Sequence, residues 1–244
     1  MATDTQLRDS HTRNAPAERG EAITIRIGGI AGLLAGLLAL SLNFILLGSE
    51  TPDPNAPVSE IAAYVQGHTE ALMASTTARF GVFFLLVIFG VGLYRLSRGS
   101  SEGHHRAWAV MGMAGVVWLV SVGTVSNSIE LAGVWQAGSL DTRPEMLMTI
   151  WSLASVMFVA NAIAWATFVL GFTMAGVVNE SLPRLLGGYG IVVAALCLAG
   201  GIGVGSVVNE GWFQYPWFLS ELLFVLWLFS TAGLMIKRSV PTTA

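Results

Sequence analysis

The chain has 244 residues, of which 54% are hydrophobic and only 11% charged, with a formal net charge of −3. A water-facing domain of this length carries about a quarter of its residues as charges, so a soluble domain is excluded, and the near-neutral balance argues against a nucleic-acid partner. The lone Cys197 excludes an intrachain disulfide.

Residues 1–22 are polar and mix Arg8, Arg13 and Arg19 with Asp4, Asp9, Glu18 and Glu21. They are expected to form a disordered cytoplasmic tail. The apolar run that follows is too long for the centre of a signal peptide, and no small-residue cleavage pattern closely follows it, so it reads as a retained first span. Crossing about 30 Å of hydrocarbon takes roughly 20 helical residues. On that rule the expected spans are 25–48, 71–95, 107–130, 146–178, 185–208 and 212–236. The resulting fold class is all-α: a polytopic membrane domain over 23–238, with 239–244 as a second cytoplasmic tail. The fourth run is longer than a crossing needs, so part of it must tilt or project.

Between the first two spans, Pro52, Pro54 and Pro57 break the chain. Val58, Ile61, Ala62 and Val65 then recur at helical spacing, which predicts a short amphipathic helix in the first outer loop. In the first span Gly28, Gly32 and Gly36 place small residues on one face. Such a face lets helix backbones approach closely. The partner is either another span of the same chain or a second copy or other membrane subunit. Gly200, Gly201, Gly203 and Gly205 crowd the fifth span, which is either locally loose or very tightly packed.

Basic loops stay on the cytoplasmic side of a membrane. With both termini inside, ten of the twelve Lys and Arg residues fall on that side, the exceptions being Arg143 and the intramembrane Arg79. The expected topology is therefore N-in and C-in. The outer side is correspondingly acidic.

Arg79 is the most informative position. It lies about 12 Å along its helix from the outer start, where an unpaired charge costs at least about 2.5 kcal/mol. Glu221 enters its span from the same side to a similar depth, so it is the expected partner. Trp217, one turn outward from Glu221, is placed to stack on the guanidinium. The pair reads either as a register-fixing ion pair, which is favoured, or as the floor of an outward-facing anion site. Asn127 and Glu130 share a face near the outer interface. Asn161 is nearly central in the fourth span, where a lone asparagine commonly bonds across helices.

His68, Glu70, Glu130 and Glu210 are metal-ligand types in no recognised spacing, and they read as a solvated acidic rim rather than a metal site. His104 and His105 read as solvated in a basic inner loop. All four histidines lie outside the apolar runs, which excludes an intramembrane bis-histidyl haem. No cofactor is implied, and no phosphate-cradling, zinc-protease or nucleophile-elbow motif is present.

The Pro-rich exit from the first span, followed by Ser59-Glu-Ile-Ala-Ala-Tyr-Val-Gln-Gly-His68, resembles uncharacterised six-helix membrane proteins of high-GC bacteria. The resemblance covers the first two spans. It implies a bacterial cell membrane and carries over no functional residues. Function is then read in order of preference. First comes a non-enzymatic protein that binds or senses an extracytoplasmic ligand, or an accessory subunit. A small-solute transporter or channel using Arg79, Glu221 and Asn161 is the alternative. An intramembrane enzyme comes last, because no nucleophile–base set is visible. Polar positions cluster in the outer half, and this counts against a path through the protein.

Overall fold

The computed structural model describes residues 3–47, 52, 56–98, 103–137, 144–209 and 211–238. Among these residues there is no strand. The helices are α1 (Thr3–Leu47), α2 (Val58–Gly67), α3 (Thr69–Ser97), α4 (His104–Ala137), α5 (Pro144–Ala160), α6 (Ala162–Val178), α7 (Arg184–Ile202), α8 (Val204–Val208) and α9 (Gln214–Arg238). Six stretches are long and apolar enough to cross a membrane: Gly20–Leu42, Thr69–Ser97, His104–Gln136, Met146–Val178, Arg184–Ile202 and Gln214–Arg238. The tail 239–244 lies outside the described residues.

The crossing helices form a closed ring in chain order. α1 packs on α3, α3 on α4, α4 on α6, α6 on α7, α7 on α9, and α9 returns to α1. Neighbours run antiparallel, because early residues of one helix meet late residues of the next. Gly28 faces Gly92 and Met235, and Gly112 faces Phe172. Short connections enforce this up-and-down order, as in helical bundles generally.

Glycines set the closest crossings. A Cβ added at Gly28 would sit 2.7 Å from the Gly92 Cα, and one at Gly32 would sit 2.6 Å from the Phe89 ring. Gly36 meets Phe229 and Leu228. The small-residue face of α1 is therefore packed by α3 and α9 of the same chain. α4 and α6 cross at backbone contact, with Gly115 against Phe168 and Gly171 against Gly112. In the fifth crossing Gly200 and Gly201 press on Trp217 and Ile163, whereas Gly205 has nothing within 4 Å. Tight packing therefore holds as far as Gly203, where α7 ends and α8 begins.

The centre of the ring is closed by aromatics. Phe89, Phe168 and Trp227 meet edge to face, with centroids 5.6 to 6.3 Å apart. Edge-to-face contact is a preferred arrangement because the positive ring edge meets the negative face. This triad forms a plug between two halves of the bundle.

A second, smaller core seals one end. Ile61, Tyr64 and Val65 of α2 are buried with Leu72, Val134 and Leu147. The amphipathic pattern of 58–67 thus turns its apolar face onto the starts of α3 and α5 and the end of α4, leaving Glu60 and Gln66 exposed. Ile61→Ala removes most of a fully buried side chain and is expected to cost about 2–4 kcal/mol of α2 docking. Amide exchange would report it as lost protection confined to α2.

Two boundaries differ from expectation. α1 begins at Thr3, inside the segment expected to be unstructured. Helix-favouring residue types such as Ala15, Ala17, Glu18 and Arg19 lead into the span, and the helix runs through Pro16 at the loss of one backbone bond. The long fourth run is broken at Asn161 into α5 and α6. At the far end, α6 stops where Glu180 takes φ 59°. There Leu182 N–H donates to the Gly176 carbonyl at 2.9 Å and Ser181 N–H to Asn179 Oδ1 at 2.9 Å, which satisfies backbone groups at the helix end. Asn179 Nδ2 then donates to the Ser97 carbonyl at 2.6 Å, tying this turn to the end of α3.

Candidate functional site

The first turns of α3 carry Leu72, Thr76 and Arg79 on one side, at spacings of four and three residues. α4 runs beside α3 in the opposite sense, so its late residues Asn127 and Glu130 come to the same height. Arg79 Nη1 donates to Glu130 Oε2 at 2.5 Å and lies 3.5 Å from Asn127 Oδ1. Thr76 Oγ1 donates to Glu130 Oε1 at 3.3 Å, and Asn127 Nδ2 donates to the Thr76 carbonyl at 3.4 Å. Both oxygens of Glu130 are thereby engaged.

The expected Arg79–Glu221 pair is not formed. Arg79–Glu130 is the one ion pair among the described residues. The reason is the ring: α4 is next to α3 along its length, whereas α9 reaches α3 only across the centre. Depth along a helix sets height but not which neighbour occupies it. Glu130, expected at a solvated rim, instead supplies the counter-charge, with its side chain 16% exposed against 20% for Arg79.

Beside this cluster lies a cavity of about 380 Å³, within the range of small-molecule sites. All its lining residues belong to the half of the bundle nearest α2. Arg79, Phe83 and Glu130 line it from α3 and α4, and Trp217 with Glu221 lines it from α9. Between them stand Trp151, Ser155 and Phe158 of α5, with Trp165 of α6 deeper in. Trp165 stacks on Phe224 at 4.9 Å, and Phe224 in turn lies on Trp227 of the plug. Below the cavity the bundle centre is therefore filled.

Of the residues singled out from the sequence, Arg79, Glu130, Glu221 and Trp217 line this cavity. Trp217 sits edge-on to Phe158 at 5.9 Å rather than over the guanidinium. Asn127 is buried behind Arg79 and steadies it. Asn161 is buried at the α5–α6 break, where its Nδ2 donates to the Leu119 carbonyl at 3.1 Å. It does not line the cavity. Its Oδ1 has no hydrogen-bond partner.

The rest of the acidic rim does not gather. His68 and Glu70 are exposed, and His68 Nδ1 lies 2.9 Å from the Tyr64 carbonyl, with its ring stacked on Tyr64. Glu210 lies outside the described residues. Among those residues no three His, Cys, Asp or Glu side chains converge. His105 also differs from expectation, being only 8% exposed in the first turn of α4 with Nε2 unpartnered.

The aromatic wall was not read as a site from the sequence. Its signal is the spacing Trp151, Ser155 and Phe158, which repeats at four and three residues along one face of α5. The structure as a whole is that of an all-helical chain with six helices able to cross a membrane. Comparison with protein-family models, with curated proteins and with solved structures finds no match for this chain.

Proposed function

We propose that this chain is a non-enzymatic, multi-pass protein of a bacterial cell membrane that binds or senses an extracytoplasmic ligand. Its termini face the cytoplasm, and the cavity opens to the opposite side. The observation that carries this reading is that the cavity is blind. It is confined to the half nearest α2, with the Phe89–Phe168–Trp227 plug beneath it. A pocket that ends in packed aromatics suits binding, either as a sensor or as an accessory subunit. Orientation rests on the placement of Lys and Arg, and the bacterial membrane on the resemblance noted above.

One observation favours the transporter alternative. At the plug and beyond it, Trp227 Nε1, Thr173 Oγ1 and Thr231 Oγ1 are buried without hydrogen-bond partners, so the half away from α2 is less uniformly apolar than expected. A path from the cavity through these groups would require the plug to move.

Ser155 lies in the cavity wall, and native Cys197 is fully buried, with the unmodified chain as the control for any label it takes up. Ser155→Cys is expected to react with a membrane-impermeant maleimide added to intact cells. Reaction in inverted vesicles alone, or in neither preparation, would overturn the reading.

A further inference from the structure

Glu221 sits half-buried two turns into an apolar helix and makes no hydrogen bond or ion-pair contact among the described residues. A carboxylate in such a place calls for a counter-charge. Among the described residues the only cation that shares its cavity is Arg79, which acts on Glu221 through space but makes its ion pair with Glu130. With two carboxylates against one guanidinium, the lining carries one uncompensated negative charge when ionised. The rest of that lining is mostly apolar, with Trp151, Phe158, Trp165 and Trp217 as its aromatic part on α5, α6 and α9.

Ring faces attract cations through their quadrupole, and tryptophan does so best. An anion would meet two carboxylates, and a neutral molecule would leave Glu221 unmatched. We propose that the cavity binds a monovalent organic cation, an alkylated ammonium on an apolar or aromatic body, with Glu221 as its counter-charge and the tryptophans as its cage. This deepens the pocket reading above and rests on it. A volume of about 380 Å³ suits a free solute and not a two-chain lipid.

The test uses the purified full chain in a neutral detergent, with binding read by tryptophan fluorescence and calorimetry. Three probes share one shape: benzyltrimethylammonium, its uncharged carbon isostere neopentylbenzene, and benzenesulfonate as the anion. Saturable binding of the cation is expected, with the isostere weaker by at least about tenfold. Glu221→Gln is expected to weaken the cation by a similar factor, while Glu221→Asp retains most of it. Trp217→Leu, which leaves every charge in place, is expected to weaken the cation more than the isostere. The inference is overturned if the isostere or the sulfonate binds as well as the cation, if Glu221→Gln binds the cation like the parent chain, or if the cation does not bind. Failure of the pocket reading is seen separately, as absence of labelling at Ser155→Cys.

Discussion

Gly171→Val is expected to prevent α4 and α6 from closing and to leave little folded, monodisperse protein. A Cβ at residue 171 would lie 2.5 Å from the Gly112 Cα. The residue opposed is backbone, which cannot step aside as a side-chain tip can. Overpacking a core costs about 1–3 kcal/mol where neighbours can rearrange, so the loss here is expected to exceed about 3 kcal/mol. The same crossing holds Gly115 against Phe168, and separating the helices to relieve one contact loosens the other. Gly188→Val is the control, since it is exposed on α7 with nothing within 4 Å. Thermal unfolding in detergent and size-exclusion profiles compare the two. A folded Gly171→Val with an unchanged melting point would show that the helices do not meet there.

Arg79→Glu is expected to be nearly as damaging. It removes the partner of Glu130 and brings a third carboxylate to a cavity that already contains Glu130 and Glu221. Breaking a buried pair by loss of one partner costs about 3–5 kcal/mol, because the remaining charge is left uncompensated. Both side chains retain some exposure, which places the loss towards the lower end of that range. Adding Glu130→Arg is expected to restore much of the stability by exchanging the two charges across α3 and α4. Adding Glu221→Arg instead is not, since Glu221 makes no ion pair with residue 79. Melting points of the single and double variants check both statements.

The architecture was largely legible because its causes are local. Uncharged runs of sufficient length announce helices that lipid can surround, and the spacing of Ile61 and Val65 announces the apolar face of α2. The presence of a costly charge at Arg79 was equally plain. Its partner was not, because two residues can share a height without sharing a wall. Only the ring order tells that α4 flanks α3, and that order comes from packing rather than from any one segment. The break at Asn161 was hidden for a similar reason. An asparagine among apolar residues is compatible with a continuous helix, and the cross-bond to Leu119 appears only when α4 is beside it. The face of Gly28, Gly32 and Gly36 announced a close contact, while Gly92, Phe89 and Phe229 as its occupants lie far along the chain.

The site rests on a division of labour between two glutamates: Glu130 holds Arg79, and Glu221 is left for the ligand. Melting Glu130→Gln beside Glu221→Gln, without added ligand, tests this most directly. Glu130→Gln is expected to lower stability by about 2–3 kcal/mol, while Glu221→Gln is expected to leave it unchanged or raise it, since neutralising an unpaired intramembrane carboxylate removes a cost. The reverse pattern, with Glu221→Gln the more damaging, would mean that Glu221 is the partner of Arg79 and that the cavity has no free counter-charge.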